Sequence, residues 1–142
     1  MKSHIAAAVL FALSTSAMAS PIEGKWYSFD DRTGAPDSEV TIKLVDGELQ
    51  GHITKVMDPE AEPNAVCTEC EGEQENAPIL NLQIMSGYSC EGDECTDGEI
   101  LDPRTGMVYS SEVKLVDAET LNVRGYIGSP MFGQSKTWKR NP

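Results

Sequence analysis

The sequence predicts an all-β protein, an eight-stranded antiparallel up-and-down barrel, and residues 98–109 illustrate why. Pro103 cannot donate to a strand ladder but suits the second position of a turn. Gly106 can adopt the positive φ that a bulged hairpin requires. From Met107 to Leu115, alternate residues are apolar or small, which is the period of a half-buried strand. This stretch therefore predicts two strands joined by a tight turn.

The remaining strands follow from similar signals, and no helical period is found after residue 19. The predicted strands cover residues 24–30, 38–45, 48–57, 79–86, 97–102, 106–116, 121–128 and 132–140. Asp46-Gly47 is a strong two-residue hairpin signal. Residues 58–78, acidic and with three prolines, predict a long loop, and residues 87–97 predict a second one. Hairpin-linked strands favour a closed barrel because closure removes exposed edges, and a β-sandwich is the alternative.

Residues 1–19 have the pattern of a secretory signal peptide. Lys2 gives a positive start, residues 5–13 form an apolar run, and Ala17-Met18-Ala19 has the pattern of a cleavage site. The apolar run is too short to span a bilayer. We therefore expect cleavage after Ala19, a periplasmic or secreted location, and a single soluble domain formed by residues 20–142.

The chain is strongly acidic. Its net charge is −12 over 142 residues, and −13 without residues 1–19, where Lys2 is the only charged side chain. This charge argues against binding to nucleic acids or to anionic lipid surfaces. It is compatible with a cationic protein partner, or it serves solubility alone.

Four cysteines in an exported chain indicate two disulfides. A strand over residues 79–86 would hold the loop of Cys67 and Cys70 and the loop of Cys90 and Cys95 at opposite barrel ends, roughly 25 Å apart. Because a disulfide needs Cα atoms within about 7 Å, the local pairs Cys67–Cys70 and Cys90–Cys95 are favoured. The alternatives are a zinc site, which requires all four sulfurs to converge, and a redox-active pair, which the neighbouring glutamates disfavour.

An enzymatic role finds little support in these residues. His52, the only histidine after residue 19, is out of phase with Leu49, Gly51 and Ile53, so we expect it to face away from them. No hydrolase, metalloprotease or phosphate-binding motif is present. The acids between residues 93 and 99 match no calcium-binding loop. We therefore predict no catalytic residue, no metal and no cofactor.

Several short motifs together resemble a family of small secreted bacterial proteins, domain of unknown function 2147. The resemblance covers nearly all of residues 20–142. It rests on Gly24-Lys25-Trp26, Asp46-Gly47 with Leu49 and Gly51, Cys67-Thr68-Glu69-Cys70, Gly98-Glu99-Ile100-Leu101-Asp102-Pro103, Gly106 with Tyr109, Val123-Arg124-Gly125-Tyr126-Ile127-Gly128, and Thr137-Trp138-Lys139-Arg140. It implies a lipocalin-like barrel and no assigned biochemical role. We expect structural roles for Trp26, Asp102, Pro103, Gly106, Arg124, Gly125, Trp138 and Arg140.

The chain is also similar to lipocalins, in which Gly-x-Trp lies on the first strand and an arginine from the last strand crosses the indole. Trp26 and Arg140 match those positions, and such a pair is favourable by about 0.5–2 kcal/mol. The alternative is that Trp26 only fills the core.

The barrel interior gives the functional prediction. An eight-stranded barrel either fills itself with side chains or holds one small ligand. Gly51, Ser111 and Gly125 fall on inward faces, where small residues leave room. We therefore predict a small apolar or lipid-like ligand. The alternative is an acidic protein-interaction module, such as an inhibitor of a cationic exported enzyme.

Overall fold

The computed structural model describes residues 3, 7–12 and 19–141. It contains strands β1 (Gly24–Phe29), β2 (Pro36–Val45), β3 (Glu48–Val56), β4 (Gln83–Glu91), β5 (Glu94–Asp102), β6 (Met107–Asp117), β7 (Thr120–Tyr126) and β8 (Gly133–Lys139). Short 3₁₀ turns at Gly72–Gln74 and Pro130–Phe132 lie in the loops after β3 and β7. The predicted signal peptide falls mostly on residues outside the described ranges and stays a prediction. No helix in the described ranges is long and apolar enough to cross a membrane.

The strands form a closed antiparallel barrel, as predicted. Each strand pairs with the next one along the chain, and β8 returns to β1 through the pairing of Tyr27 with Lys139. Closure excludes the β-sandwich alternative. It also removes the two edges that an open eight-stranded sheet would expose.

The prediction was wrong about the fourth strand. Residues 79–82 precede it as a turn, in which Asn81 has a φ of 71° and its N–H donates to the carbonyl of Ile53 at 2.7 Å. Leu80 is exposed, although Leu82 and Ile84, on the same face of the predicted strand, are buried. The alternating apolar residues of this segment resemble a strand locally, but the left-handed conformation of Asn81 turns the chain before β4 begins.

The loop predicted over residues 87–97 is also wrong, because a tight hairpin occupies most of it. Gly92, with a φ of 62°, turns the chain between β4 and β5. Cys90 and Cys95 lie directly opposite each other on these two strands. Glycines and acidic residues are typical of a loop, which is why the sequence predicted one here. In the structure the acidic side chains of this hairpin are exposed on the outside of the barrel.

One end of the barrel is filled with side chains. This closed end holds the β2–β3, β4–β5 and β6–β7 turns. Its inward-facing side chains are almost fully buried and include Trp26, Leu49, Tyr88, Val113 and Leu121. A Cβ atom added at Gly98 would overlap the ring of Tyr88, and one added at Gly51 would lie 2.6 Å from the sulfur of Met85. These glycines therefore make space for neighbouring core side chains rather than for a ligand.

The segment before β1 covers the closed end. Ile22 is fully buried, and its carbonyl accepts a hydrogen bond of 2.8 Å from the Trp26 indole. The Arg140 guanidinium lies over the Trp26 ring, 4.1 Å from its centroid. Arg140 also donates to the backbone carbonyls of Glu23 at 3.1 Å and Ala118 at 2.7 Å. Trp26 is therefore a core residue and the partner of the arginine at the same time.

Candidate ligand-binding cavity

A cavity of about 770 Å³ occupies the other half of the barrel. Trp138, opposite Leu121 near the end of β8, lines it from the closed end. Most of its other lining residues lie near the ends of β1, β3, β5 and β7 and near the starts of β2, β4, β6 and β8. These ends meet on one side of an up-and-down barrel, which we call the mouth. The cavity therefore opens opposite the segment that covers Trp26.

More of the cavity wall is apolar than polar. It includes Ile53, Ile84, Ile100, Tyr109, Val123 and Trp138. Gly125, on β7, also lines it, and a Cβ atom added there would lie 3.4 Å from the Cβ of Tyr109, which is ordinary contact. Of the three small inward residues, Gly125 is thus the one that enlarges the cavity.

The long loop between β3 and β4 completes part of the wall. Ala61, Ala65 and Ile79 from this loop line the cavity. The loop is held as a narrow ribbon, because the Ile79 N–H donates to the Ala65 carbonyl at 2.9 Å and the Cys67 N–H donates to the Ala77 carbonyl at 2.7 Å. The backbone of the loop is therefore ordered by its own hydrogen bonds.

The β5–β6 turn has the predicted arrangement of Pro103 and Gly106. Pro103 occupies its second position, and the Asp102 carbonyl accepts a hydrogen bond of 2.8 Å from the Gly106 N–H. The Asp102 carboxylate accepts a further bond of 2.9 Å from the Arg104 N–H. Gly106 has a φ of 74°, as a residue in this turn requires.

The same glycine has a second role that sequence reasoning missed. A Cβ atom on Gly106 would overlap the backbone carbonyl of Glu69, which lies between the two cysteines of the long loop. The Cys67 sulfur also lies 3.6 Å from the carbonyl oxygen of Pro103. The disulfide-bonded segment is therefore docked on the β5–β6 turn, a contact between two motifs that no local pattern predicts.

The two disulfides are the local ones. Cys67 is bonded to Cys70, with Cα atoms 5.3 Å apart, and Cys90 to Cys95, with Cα atoms 4.0 Å apart. The first lies near the mouth and the second at the closed end, so the four sulfurs do not converge. This arrangement excludes the four-cysteine zinc site. Among the described residues, no group of three or more potential metal ligands is present.

Two ion pairs lie at the mouth. Arg104, in the β5–β6 turn, donates to the carboxylate of Asp37, near the start of β2. Because β2 and β5 are separated by two strands around the barrel, this pair crosses the mouth. Lys136 on β8 pairs with Asp31, in the β1–β2 loop. All four side chains belong to residues that line the cavity.

The loop between β7 and β8 forms the last part of the mouth. Arg124 points to the outside of the barrel and donates to the Pro130 carbonyl from Nε at 2.8 Å and from Nη2 at 2.7 Å. It thereby braces the 3₁₀ turn, in which Phe132 is 80% exposed while lining the cavity. The strand predicted over residues 121–128 ends at Tyr126, and Ile127, which lies beyond this end, is exposed.

Two buried hydroxyls lie below the cavity. Ser111 is directly opposite Gly125, which lines the cavity, and both the Ser111 and Tyr88 hydroxyls are buried without a hydrogen-bond partner among the described residues. Burial raises the pKa of Tyr88 well above its usual value, and the nearby Ser111 hydroxyl offsets this only in part. Tyr88 therefore stays neutral at physiological pH.

A polar network lies on the outer surface of β1, β2 and β3, away from the cavity. The Glu39 carboxylate accepts hydrogen bonds from the Thr54 hydroxyl at 2.7 Å and from the Tyr27 hydroxyl at 3.0 Å, with Lys25 3.8 Å away. The Thr54 hydrogen bond is the largest of the effects that lower the pKa of Glu39, and burial opposes them. His52 lies on β3, half-buried and out of phase with the buried Gly51 and Ile53.

These features define a class: a closed, lipocalin-like eight-stranded barrel with a cavity open at one end. Protein HP1028 from Helicobacter pylori, described as belonging to the lipocalin family, has a similar fold, with a TM-score of 0.73 and 15% sequence identity over 84% of this chain and 82% of that one. The chain belongs to the family described as uncharacterized proteins conserved in bacteria, DUF2147, whose model matches residues 24–140. No curated protein matches it in sequence.

Proposed function

We propose that this protein binds one small, predominantly apolar molecule inside its barrel. The observation that carries this proposal is the cavity of about 770 Å³ with its apolar wall and its open mouth. Small-molecule sites have volumes of about 300–1,000 Å³, mostly apolar linings and a few placed polar groups. The filled closed end provides a floor, so the ligand enters and leaves through the mouth.

The proposed role is binding rather than catalysis. Among the described residues that line the cavity, none is a histidine or a cysteine. The two disulfides support a location outside the cytoplasm, where such bonds persist. Expression with residues 1–19 attached tests this location, and we expect the periplasmic or secreted protein to begin at Ser20. Binding to a cationic protein stays a prediction that rests on the net charge.

The two tryptophans allow a direct test of binding. Trp138 lines the cavity, whereas Trp26 is fully buried at the closed end. We would titrate the protein with bromodecanol, a neutral alkyl alcohol whose bromine quenches indole fluorescence only at short range. Saturable quenching with one molecule bound per chain is expected.

Two matched variants locate the bound molecule. Trp26→Phe leaves Trp138 as the only indole and should keep the quenching, whereas Trp138→Phe leaves Trp26 and should lose most of it. Equal quenching in both variants, or quenching that never saturates, would contradict binding in the cavity.

A further inference from the structure

The mouth of the cavity carries more negative than positive charge. Its charged lining residues are Asp31, Asp37, Asp58, Asp102, Arg104 and Lys136. At neutral pH these four carboxylates and two cations leave an excess of negative charge beside an apolar wall. The whole chain, with a net charge of −12, adds to this potential.

Both cations at the mouth already have partners. Arg104 is paired with Asp37, whose side chain is only 11% exposed, and Lys136 is paired with Asp31. An anionic head group that took either cation would leave the displaced aspartate without its partner. Because Asp37 is nearly buried and also accepts a hydrogen bond from the Ser28 hydroxyl, it is held in place and cannot turn away freely.

The other two carboxylates have no ion-pair partner among the described residues. One oxygen of Asp58 accepts a hydrogen bond of 2.9 Å from the Glu60 N–H, and one oxygen of Asp102 accepts a bond of 2.9 Å from the Arg104 N–H. Neither side chain is fully buried. Each therefore retains a second oxygen that can accept a hydrogen bond from a ligand at the mouth.

We propose that the ligand is an amphipathic molecule with a cationic, amine-like head group, which lies at the mouth beside Asp58 and Asp102 while the hydrocarbon part contacts the apolar wall. This inference rests on the proposed function and adds the chemical class of the ligand. Its physical basis is that the mouth offers a cation carboxylates that have no ion-pair partner among the described residues, whereas an anion can only compete for cations that are already paired.

Three probes with ten carbon atoms each separate the contribution of the head group from that of the hydrocarbon. We would measure the dissociation constants of decylamine, decanol and decanoate at pH 7 by competition with bromodecanol. Decylamine should bind about tenfold more tightly than decanoate at low salt, with decanol between them. The difference should shrink as salt is added, because ions screen charges at an exposed mouth.

Matched variants test which carboxylates are responsible. In Asp58→Asn/Asp102→Asn, the amide oxygen can still accept the backbone N–H, so the loop and the turn are kept. This variant should bind decylamine no more tightly than decanol. Asp46→Asn/Asp93→Asn also removes two negative charges, but from turns at the closed end, and should keep the preference for decylamine.

The outcomes separate the two proposals. If all three probes fail to bind, the proposed function is wrong, and this inference falls with it. If the probes bind but decanoate binds as tightly as decylamine or more so, the inference alone is overturned. Equal effects of the two double variants would also overturn it, because the preference would then come from net charge rather than from the mouth.

Discussion

Replacing Gly125 with valine should stabilise the protein and weaken ligand binding. An added Cβ atom would lie 3.4 Å from the Cβ of Tyr109 and 3.7 Å from a methyl group of Ile100, which is ordinary contact, and the cavity that Gly125 lines offers space for the two methyl groups of valine. Removing a glycine from a strand contributes about 0.5–1 kcal/mol. Burying a valine fully contributes about 1.5–3 kcal/mol. Because the cavity is open to water, we expect a total gain of about 1–2 kcal/mol in the free energy of unfolding.

The same side chain takes space from the ligand. Misfit by a single methylene in an apolar pocket changes binding by about tenfold or more, so the dissociation constant for bromodecanol should rise by at least about that factor. Urea denaturation followed by circular dichroism measures the stability change, and fluorescence quenching of Trp138 measures the binding change. The variant should thus be more stable and bind bromodecanol more weakly, a combination that a general loss of structure cannot produce.

Gly98→Ala is the matched control. Its Cβ atom would overlap the ring of Tyr88 in the filled half of the barrel, so we expect a loss of about 1–3 kcal/mol in the free energy of unfolding. Binding per folded molecule should stay the same, because Gly98 lies away from the cavity lining. A Gly125→Val protein that is less stable than the wild type and binds with unchanged affinity would refute the reasoning.

Three further changes follow from contacts outside the cavity. Arg140→Ala should lower the free energy of unfolding by about 2–4 kcal/mol and shift Trp26 emission to the red, because it removes the stacked guanidinium and its backbone hydrogen bonds. The pKa of Glu39 is lowered in the folded state, so its carboxylate stabilises the fold at pH values above its unfolded pKa. This stabilisation is lost as the pH falls through the folded pKa. Glu39→Gln should therefore lose less stability than the wild type between about pH 5 and pH 3, measured by denaturant unfolding at each pH. Cys67→Ser/Cys70→Ser should cost about 2 kcal/mol or less, because the closed loop is short, and should raise hydrogen exchange in residues 57–82.

Each of these changes has a control elsewhere in the chain. Arg32→Ala removes an exposed ion pair with Glu60 and should have little effect on stability. Glu48→Gln removes an exposed acid and should leave the free energy of unfolding at neutral pH unchanged. Cys90→Ser/Cys95→Ser should leave hydrogen exchange in residues 57–82 as it is in the wild type. If a control variant shows the same change as its test variant, the corresponding prediction is wrong.

The architecture could be predicted from the sequence, because strand periodicity and turn chemistry act locally. Alternation from Met107 to Leu115 predicts a half-buried strand, in which Ser111 and Val113 are buried and Met107, at the mouth, is exposed, and Asp46-Gly47 predicts a hairpin. The geometry of a barrel then places the cysteine pairs at opposite ends, which favours local disulfides. The errors in the fourth strand and the following loop arose where local signals are ambiguous. A glycine such as Gly92 is compatible with a tight hairpin as well as with a loop. The left-handed conformation of Asn81 cannot be recognised from the hydrophobic pattern.

The position of the cavity and the residues around it could not be predicted from the sequence, because they depend on contacts between distant parts of the chain. Periodicity assigns a residue to a face but does not say which side chain lies across the barrel. For that reason Gly51 and Gly125 look equivalent in sequence, yet Met85 occupies the space beside one and the cavity opens beside the other. The contact of Gly106 with Glu69 and the ion pair of Arg104 with Asp37 likewise join residues far apart in the chain. Such contacts depend on strand register and barrel closure, which are set by the packing of all eight strands together.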